Sequence, residues 1–333
     1  MKTVRLSRQN FPNTSMCAYF TYYEYLLSKR YNVVIDSENP DIIITTNLRS
    51  DPREIDIITG KLPTNFTPKD NPNIKFLYVT GEVSDFVGCL AHNNQYALGY
   101  AKKDHERYFR QPACAIDVWG IFKESRMSDT PRGWLTERRD FEAIKKRNKG
   151  FCSVIQNSHC PVREKVFNKL SEYKKISAAG PWKYNMDDGI DHTMKSEYSH
   201  KSIYNGRRDG LTYKKKIEFQ GKYKFNMCMY FQGNHPYMIL EKPIHTYYSG
   251  SIPIFYGNDR LSEDGFNPDT FINLHNYDIN GNLNDLLEVI KEIDNDEKRW
   301  KKMIEEPIFI DNKPPSYYEE EVILEFLSKI VEA

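Results

Sequence analysis

A glutamate and a lysine stand directly before a proline in the run MILEKPIHTYYSGSIPIFYG, as Glu241, Lys242 and Pro243. Because proline fits the first turn of a helix and disrupts its interior, the sequence predicts a helix that begins at Pro243. Backbone N–H groups and the positive end of the helix dipole would meet Lys242 there, which favours a bound phosphate. Glu241 would accept hydrogen bonds from ligand hydroxyls. In the alternative interpretation Glu241 caps the helix and Lys242 extends into water.

Other chemistries have weaker support. No GxGxxG or GxxxxGK[ST] loop is present, so neither a dinucleotide-binding fingerprint nor a P-loop names the ligand. The eight histidines form no HExxH pair, and Asp187-Asp188 lies in a polar stretch that favours solvated carboxylates over a metal site. Lysine and tyrosine are interleaved from Lys214 to Lys224, which favours a solvated surface over a nucleic-acid site in a near-neutral chain. We therefore expect a metal-independent protein without a nucleic-acid partner.

The composition is that of a globular protein. The 333 residues are 39% hydrophobic and 14% aromatic, and this length suits two domains of ordinary size. Lys and Arg number 47 against 46 Asp and Glu, so an anion must be held by a local site.

The cysteines and the apolar segments predict the compartment. Six cysteines without a CxxC pair are typical of reduced core cysteines. No signal peptide is recognisable at the start, and no apolar run reaches the roughly 18 residues that span a bilayer. We expect a soluble, cytoplasmic chain, and the sequence leaves a peripheral membrane contact open.

Helix-like and strand-like segments alternate, which predicts an α/β fold with doubly wound, mostly parallel sheets. The first series contains a helix at 16–29 and strands at 31–36, 41–46 and 74–80. The second contains strands at 152–156, 174–180, 223–231 and 251–257 and a helix at 162–173, and it ends in helices at 283–304 and 320–331. Ligands of such sheets bind beyond the carboxyl ends of the strands.

The stretch 124–150 is charged and poor in aliphatic residues, which is typical of an interdomain connection. We therefore expect an N-terminal Rossmann-like domain at 1–150 that ends in this linker. A second domain at 151–316 and a C-terminal helix at 317–333 follow, and the polar stretch 187–216 is interpreted as an inserted loop.

The run YKFNMCMYFQGNHPYMILEKPIHTYYSGSIPIFYG at 223–257 resembles the signature of glycosyltransferase family 10, the α-1,3/α-1,4-fucosyltransferases. In that family YKFxLxFENS is followed by YxTEK, a short helix and xxPIxxG. FNPDTFINLHNY at 266–277 is similar to the family's FNPxSFVNVHDF. Three segments further upstream also resemble family motifs. The segment at 76–82, FLYVTGE, is similar to FYTGEN, and the segment at 96–115, YALGYAKKDHERYFRQPACA, is similar to YAIGF followed by DRYLRxP. The segment at 152–180, CSVIQNSHCPVREKVFNKLSEYKKISAAG, is similar to FVxSNPxAPIRxxFxxxLxxY.

The resemblance implies the GT-B architecture, with two Rossmann-like domains facing across a cleft. The N-terminal domain would bind the acceptor and the C-terminal domain the GDP-sugar. The implied reaction moves L-fucose from GDP-fucose to a hydroxyl, O3, of an N-acetylglucosamine or glucose unit in a glycan, with inversion and without a metal cofactor. Such a displacement needs a base for the hydroxyl proton and positive groups for the leaving diphosphate. Without an anchor, the chain is similar to soluble bacterial-type or viral members.

Matched positions imply roles for single residues. Glu82 is the expected general base, at a strand end where partial burial would raise a carboxylate pKa. Arg163 and Lys242 are expected to bind the diphosphate, because guanidinium and ammonium groups suit phosphate oxygens. Glu241 is expected to hold donor hydroxyls. The other donor-binding candidates are Gly81, Asn157, Tyr223 and Tyr237.

Taken alone, some of these residues have simpler interpretations. Glu82 could be a solvated turn residue, Arg163 a surface arginine at a helix start, and Tyr223 a core residue.

The chain also departs from the family pattern near the donor motif. Phe231-Gln232-Gly233 replaces FEN, Leu240 replaces Thr, Val83 replaces Asn after TGE, and Tyr237 stands four rather than three residues before Glu241. These changes motivate two other hypotheses, a different GDP-deoxysugar donor and a catalytically silent glycan-binding relative. The joint retention of Glu82, Arg163 and Lys242 favours an enzyme.

Overall fold

The structure, a computed structural model, describes residues 1–9, 17–46, 67–79, 90–112, 114–116, 135–156, 159–180, 182–186, 216–230 and 236–333. The chain divides into two units. Unit 1 comprises Met1–Gly120, Tyr237–Leu240 and Pro315–Ala333, and unit 2 comprises Ile121–Pro236 and Glu241–Pro314. The domain ranges expected from the sequence stay predictions.

Both units contain strands and helices. The strands are β1 (Thr3–Gln9), β2 (Asn32–Ile35), β3 (Ile42–Thr46), β4 (Lys75–Val79), β5 (Gln95–Gly99), β6 (Tyr108–Arg110), β7 (Gly150–Val154), β8 (Ile176–Ala178), β9 (Tyr223–Met229), β10 (Ile252–Tyr256) and β11 (Ile272–Asn273). The α-helices are α1 (Cys17–Ser28), α2 (Phe141–Arg147), α3 (Pro161–Ser171), α4 (Lys242–Ser249), α5 (Asn284–Asn295), α6 (Glu297–Glu305) and α7 (Glu320–Glu332).

Unit 1 contains a parallel sheet of six strands in the order β2-β1-β3-β4-β5-β6. Its inner strand β3 begins with three isoleucines, Ile42, Ile43 and Ile44, which are all buried. A continuous apolar run of this kind is expected of a parallel strand covered on both faces. Helices α1 and α7 contribute Leu26 and Leu327 to the same core.

Unit 2 contains a parallel sheet of five strands in the order β11-β10-β9-β7-β8. Strand β7 pairs with β8 on one side and with β9 on the other, so the winding direction reverses between β7 and β9. At such a switch point a crevice opens outside the carboxyl ends of the strands, here near Val154 and Met229. The prediction of an α/β fold with two Rossmann-like sheets is confirmed.

Helix α4 has the predicted limits. Pro243 lies in its first turn, and Gly250 ends it with a φ of 81°. A side chain other than hydrogen is disfavoured at this φ. A Cβ atom at Gly250 would also come within 2.5 Å of the Arg147 guanidinium.

The prediction of one helix at 283–304 is wrong, because the structure has α5 and α6 there. Asp296 lies between them in an extended conformation. Its carboxylate accepts hydrogen bonds from the backbone N–H groups of Lys298, at 2.8 Å, and Arg299, at 3.2 Å. An aspartate that caps a new helix in this way competes with continuation of the previous one.

Part of the stretch 124–150 is helical. Helix α2 buries Phe141 and Ile144 in the core of unit 2. The Phe141 ring meets the Trp300 ring edge-on at a centroid distance of 4.9 Å. The described end of this stretch therefore packs as part of unit 2.

Candidate functional site

Two of the predicted cations meet at the carboxyl end of β9. Lys242 Nζ donates to the Met229 carbonyl oxygen at 2.8 Å and to Gln156 Oε1 at 3.0 Å. Arg163 Nη2 donates to the same Met229 oxygen at 3.2 Å. Met229 ends β9 and Gln156 follows β7, so these side chains lie at the switch point of the sheet in unit 2. This is the edge at which ligands of doubly wound sheets bind.

Arg163 is placed by the first turn of α3, which begins at Pro161. Its side chain is 1% exposed, so it is not a surface arginine. The guanidinium carbon lies 5.9 Å from the centre of the Trp182 ring. Burial lowers the pKa of Arg163 from its ordinary value, but an arginine remains charged at neutral pH. A buried guanidinium at a helix start is well placed for an anion.

Lys242 carries an ammonium group whose charge is costly in this position. Burial lowers the pKa of Lys242 to about 8; the attraction of Glu241 opposes this shift, and repulsion from Arg163 and Lys216 adds to it. Both of its hydrogen-bond acceptors are neutral oxygens. A bound anion would stabilise the charged form, which is the property expected of a phosphate-binding lysine.

Glu241 lies at the N-terminus of α4 without capping it through its side chain. Its carboxylate instead lies 3.5 Å from Lys216 Nζ. Because Lys242 also turns inward rather than into water, neither side chain follows the alternative interpretation of this pair. Glu241 is therefore held beside the cations, with 24% of its side chain exposed.

Three residues of this site were not predicted from the sequence. They are Gln156, Lys216 and His245, of which His245 is fully buried and lies 3.2 Å from Lys216 Nζ through Nδ1. Gln156 follows a predicted strand, and that position was a usable signal. His245 follows Glu241 by one helical turn, which places both on one face of α4. Lys216 ends the stretch that the sequence analysis interprets as an inserted loop, and it carries no such signal.

Tyr223 is not near the cations. It starts β9, whereas Met229 ends it, and a rise of about 3.3 Å per residue separates them by about 20 Å. The side chain is 3% exposed and its ring lies 5.2 Å from that of Phe219. This placement corresponds to the core interpretation of Tyr223.

Tyr237 belongs to unit 1, in contrast to Arg163, Glu241 and Lys242. Its φ is 68°, in the left-handed region that non-glycine residues rarely adopt. The Tyr237 carbonyl oxygen accepts from Arg110 Nη2 at 3.3 Å, and Lys102 Nζ lies 4.4 Å from the centre of its ring. Its role in donor binding stays a prediction.

Several predicted positions lie outside the described residues. They are Gly81, Glu82, Val83, Asn157, Asp187, Asp188 and Phe231-Gln232-Gly233. The roles proposed for Gly81, Glu82 and Asn157 therefore stay predictions.

In the described ranges, no helix combines the length and apolar character that a membrane crossing requires. The same part of the chain contains no group of three or more His, Cys, Asp or Glu side chains arranged to hold a metal ion.

Two curated proteins match the sequence, although no family model does. The chain is 24% identical over 310 residues to the alpha-(1,3)-fucosyltransferase FucT of Helicobacter pylori, a match that covers 85% of this chain and 55% of that protein. It is 30% identical over 168 residues to a candidate fucosyltransferase of Acanthamoeba polyphaga mimivirus, which covers 50% of this chain and 25% of the relative. The chain thus spans about half or less of the length of these relatives.

The fold matches solved structures over the whole chain. An α1,3-fucosyltransferase with GDP-fucose has a TM-score of 0.68 at 18% identity and is covered over 92% of its length. An α1,3-fucosyltransferase with GDP has a TM-score of 0.67 at 19% identity and is covered over 91%. At these identities the structural likeness establishes the fold, and the sequence matches establish the relationship. The chain is therefore homologous to the matched Helicobacter pylori and mimivirus proteins and has the GT-B fold of the solved α1,3-fucosyltransferases, as its motifs predicted.

Proposed function

We propose that this chain is a glycosyltransferase that moves L-fucose from GDP-fucose to a hydroxyl group of a glycan. The observation that carries the proposal is the convergence of Arg163 and Lys242 on the Met229 carbonyl at the switch point of the second sheet. The fucosyltransferase names of the relatives and the GDP-fucose complex of a similar structure support the choice of donor.

The two cations would act on the leaving group. As the bond between fucose and GDP breaks, negative charge develops on the diphosphate. Groups fixed in advance around that charge stabilise the transition state more than water does, because they need no reorganisation. Arg163 offers a rigid fork of donors and Lys242 a compact charge, and both lie in a largely buried setting that strengthens their interaction with phosphate.

The remaining features of the reaction rest on the sequence resemblance. Glu82 is proposed as the base that takes the proton of the acceptor hydroxyl, and Glu241 as the residue that binds donor hydroxyls. Inversion at the sugar carbon, transfer to O3 of an N-acetylglucosamine or glucose unit, and catalysis without a metal ion belong to the same proposal. A cytoplasmic location is proposed on the sequence alone.

The test is GDP release from GDP-fucose, with chelator present, against N-acetyllactosamine-type, chitobiose and simple sugar acceptors. Acceptor-dependent release is expected, with loss of at least about 100-fold in Glu82→Gln, as is usual for removal of a general base. Glu142→Gln is the matched control, since Glu142 is exposed on α2 and no site role is proposed for it. Proton NMR of the product would give the linkage position and the anomeric configuration.

Each part of the proposal can fail separately. Release from another GDP-deoxysugar but not from GDP-fucose would change the donor. Tight binding of GDP without release for any acceptor would identify a silent glycan-binding relative. Activity that disappears with chelator and returns with a divalent metal would refute metal independence.

A further inference from the structure

A third lysine lies beside the proposed donor site. Lys216 begins the described helical segment 216–220 and is 7% exposed. Its ammonium group lies 3.2 Å from His245 Nδ1 and 3.5 Å from Glu241 Oε1. Lys216 thus reaches the N-cap residue of α4 and a residue of α4 one helical turn later.

His245 can fix the ammonium group of Lys216 only as a neutral ring. It is fully buried, and burial together with the nearby charge of Lys216 lowers the pKa of His245 well below its ordinary value, against the attraction of Glu241. A neutral imidazole has one nitrogen with a lone pair, and the short contact assigns that acceptor to Nδ1. Lys216 is therefore held by a neutral acceptor on one side and a carboxylate on the other.

The position of Glu241 matters because it directly precedes Lys242. The Glu241 carboxylate attracts the Lys242 ammonium, and this attraction raises the pKa of Lys242. If the carboxylate turned to Lys242, it would compete with an incoming phosphate for the same charge. The contact with Lys216 supplies the carboxylate with a different cation.

We propose that Lys216 is a positioning residue of the donor site: it engages the Glu241 carboxylate and so leaves the charge of Lys242 for the diphosphate. This inference rests on the proposed function, because it takes GDP-sugar as the ligand. Lys216 need not touch the ligand, and His245 acts only by holding Lys216.

The test is a double-mutant cycle on GDP affinity, with Lys216→Met and Glu241→Gln made singly and together. If Lys216 acts through the Glu241 carboxylate, removing the lysine should not change GDP affinity once that carboxylate is absent. Two residues coupled in this way have non-additive effects on binding. We expect Lys216→Met to raise the Kd for GDP about tenfold when Glu241 is unchanged. In the protein that also carries Glu241→Gln, the same substitution should raise the Kd less than twofold. In transfer assays KM for GDP-fucose should rise with kcat changed less than twofold.

Two controls separate positioning from folding. Lys222→Met makes the same substitution six residues along the chain and should leave the Kd unchanged, while Lys216→Arg, which keeps a cation, should restore part of the affinity. If Lys216→Met does not fold, Lys216→Gln enters the cycle in its place. An equal loss in both Glu241 backgrounds, or no loss in either, would overturn the proposal. Failure of the wild type to bind GDP would instead refute the proposed function.

Discussion

Buried or half-buried lysines lie at both ends of β9, but only those at the amino end contact a carboxylate as their main acceptor. At the carboxyl end, Lys242 donates to the neutral oxygens of Met229 and Gln156. At the amino end, Lys224 donates to the Asp294 carboxylate at 2.9 Å. Lys242 and Lys224 are both half-buried, so these two lysines differ chiefly in their acceptors.

The lysines at the amino end of β9, Lys174 and Lys224, share one carboxylate, that of Asp294. Asp294 also accepts from Lys174 at 2.5 Å, and its side chain is 5% exposed. Burial alone would raise the pKa of Asp294, but hydrogen bonds from Lys174 and Lys224 outweigh it and hold this pKa below its ordinary value. Lys224 also lies 4.4 Å from the centre of the Trp300 ring. Such a cluster needs no ligand to be stable.

The comparison indicates how a binding site can be distinguished from a structural ion cluster. A buried charge is costly unless an opposite charge or hydrogen bonds compensate it. Asp294 compensates the lysines at one end of the strand, whereas Lys242 at the other end has a pKa lowered to about 8. We therefore expect a bound anion to stabilise the carboxyl-end cluster more than the amino-end cluster.

The largest expected effect is that of Lys242→Met on GDP binding. Loss of a charge-assisted contact with phosphate in a buried site should raise the Kd for GDP about 100-fold, equal to about 2.7 kcal/mol. The free energy of unfolding should stay the same or rise, because a costly buried charge is removed. Isothermal titration calorimetry and urea unfolding measure the two quantities.

Lys298→Met is the control, since Lys298 lies exposed in the first turn of α6. A Kd in Lys242→Met within twofold of the wild type would show that Lys242 is not part of the GDP site.

Asp294→Asn removes the carboxylate that Lys174 and Lys224 contact at the amino end of β9. We expect the free energy of unfolding to fall by about 2 kcal/mol, a value below the usual cost of breaking a buried pair because Lys174 is partly exposed. GDP affinity should not change. Urea unfolding at neutral pH measures the effect, and Asp285→Asn on the exposed face of α5 is the control. Equal stability of the two variants would refute the compensating role of Asp294.

Gln156→Glu makes the opposite change at the carboxyl end. A carboxylate at the position of Gln156 Oε1 would pair with Lys242, raise its pKa and weaken GDP binding about tenfold, equal to about 1.4 kcal/mol. Gln156→Leu is the matched control, because it also removes the amide donor to Met229 O but adds no charge. If both substitutions weaken binding equally, the added charge is not the cause.

The pH dependence of GDP binding should show the smallest effect. Lys242 has a pKa of about 8 in place of its ordinary 10.5, so its ammonium is charged below pH 8 and loses its proton as the pH rises above it. Because the diphosphate favours the charged form, GDP should bind about fourfold more weakly at pH 8.5 than at pH 7.

Lys242→Met gives the reference curve for this experiment. Ionisation of the guanine base is common to both proteins, and only the wild type should show the additional weakening. Parallel curves would place the titrating group elsewhere.

The sequence predicted the elements that local chemistry defines. Pro243 and Gly250 mark the ends of α4 because ring closure and a positive φ act within single residues. The alternating periodicity predicted β2, β3 and β4 in the first series and β7 to β10 in the second, but not β1, β5, β6, β11 or α2. It missed the break at Asp296, since a capping aspartate and a solvent-facing aspartate of a longer helix look alike in an amphipathic pattern.

Residue type and motif order by themselves singled out Arg163, Glu241 and Lys242 and the relationship to fucosyltransferases. Only the tertiary structure decided that β7 pairs with β9, which brings Gln156 and Arg163 to Met229 across a long separation in sequence. It also decided which lysine meets a carboxylate and which does not. The physical reason is that strand pairing and charge compensation depend on distance in space, which one sequence does not encode in its local pattern.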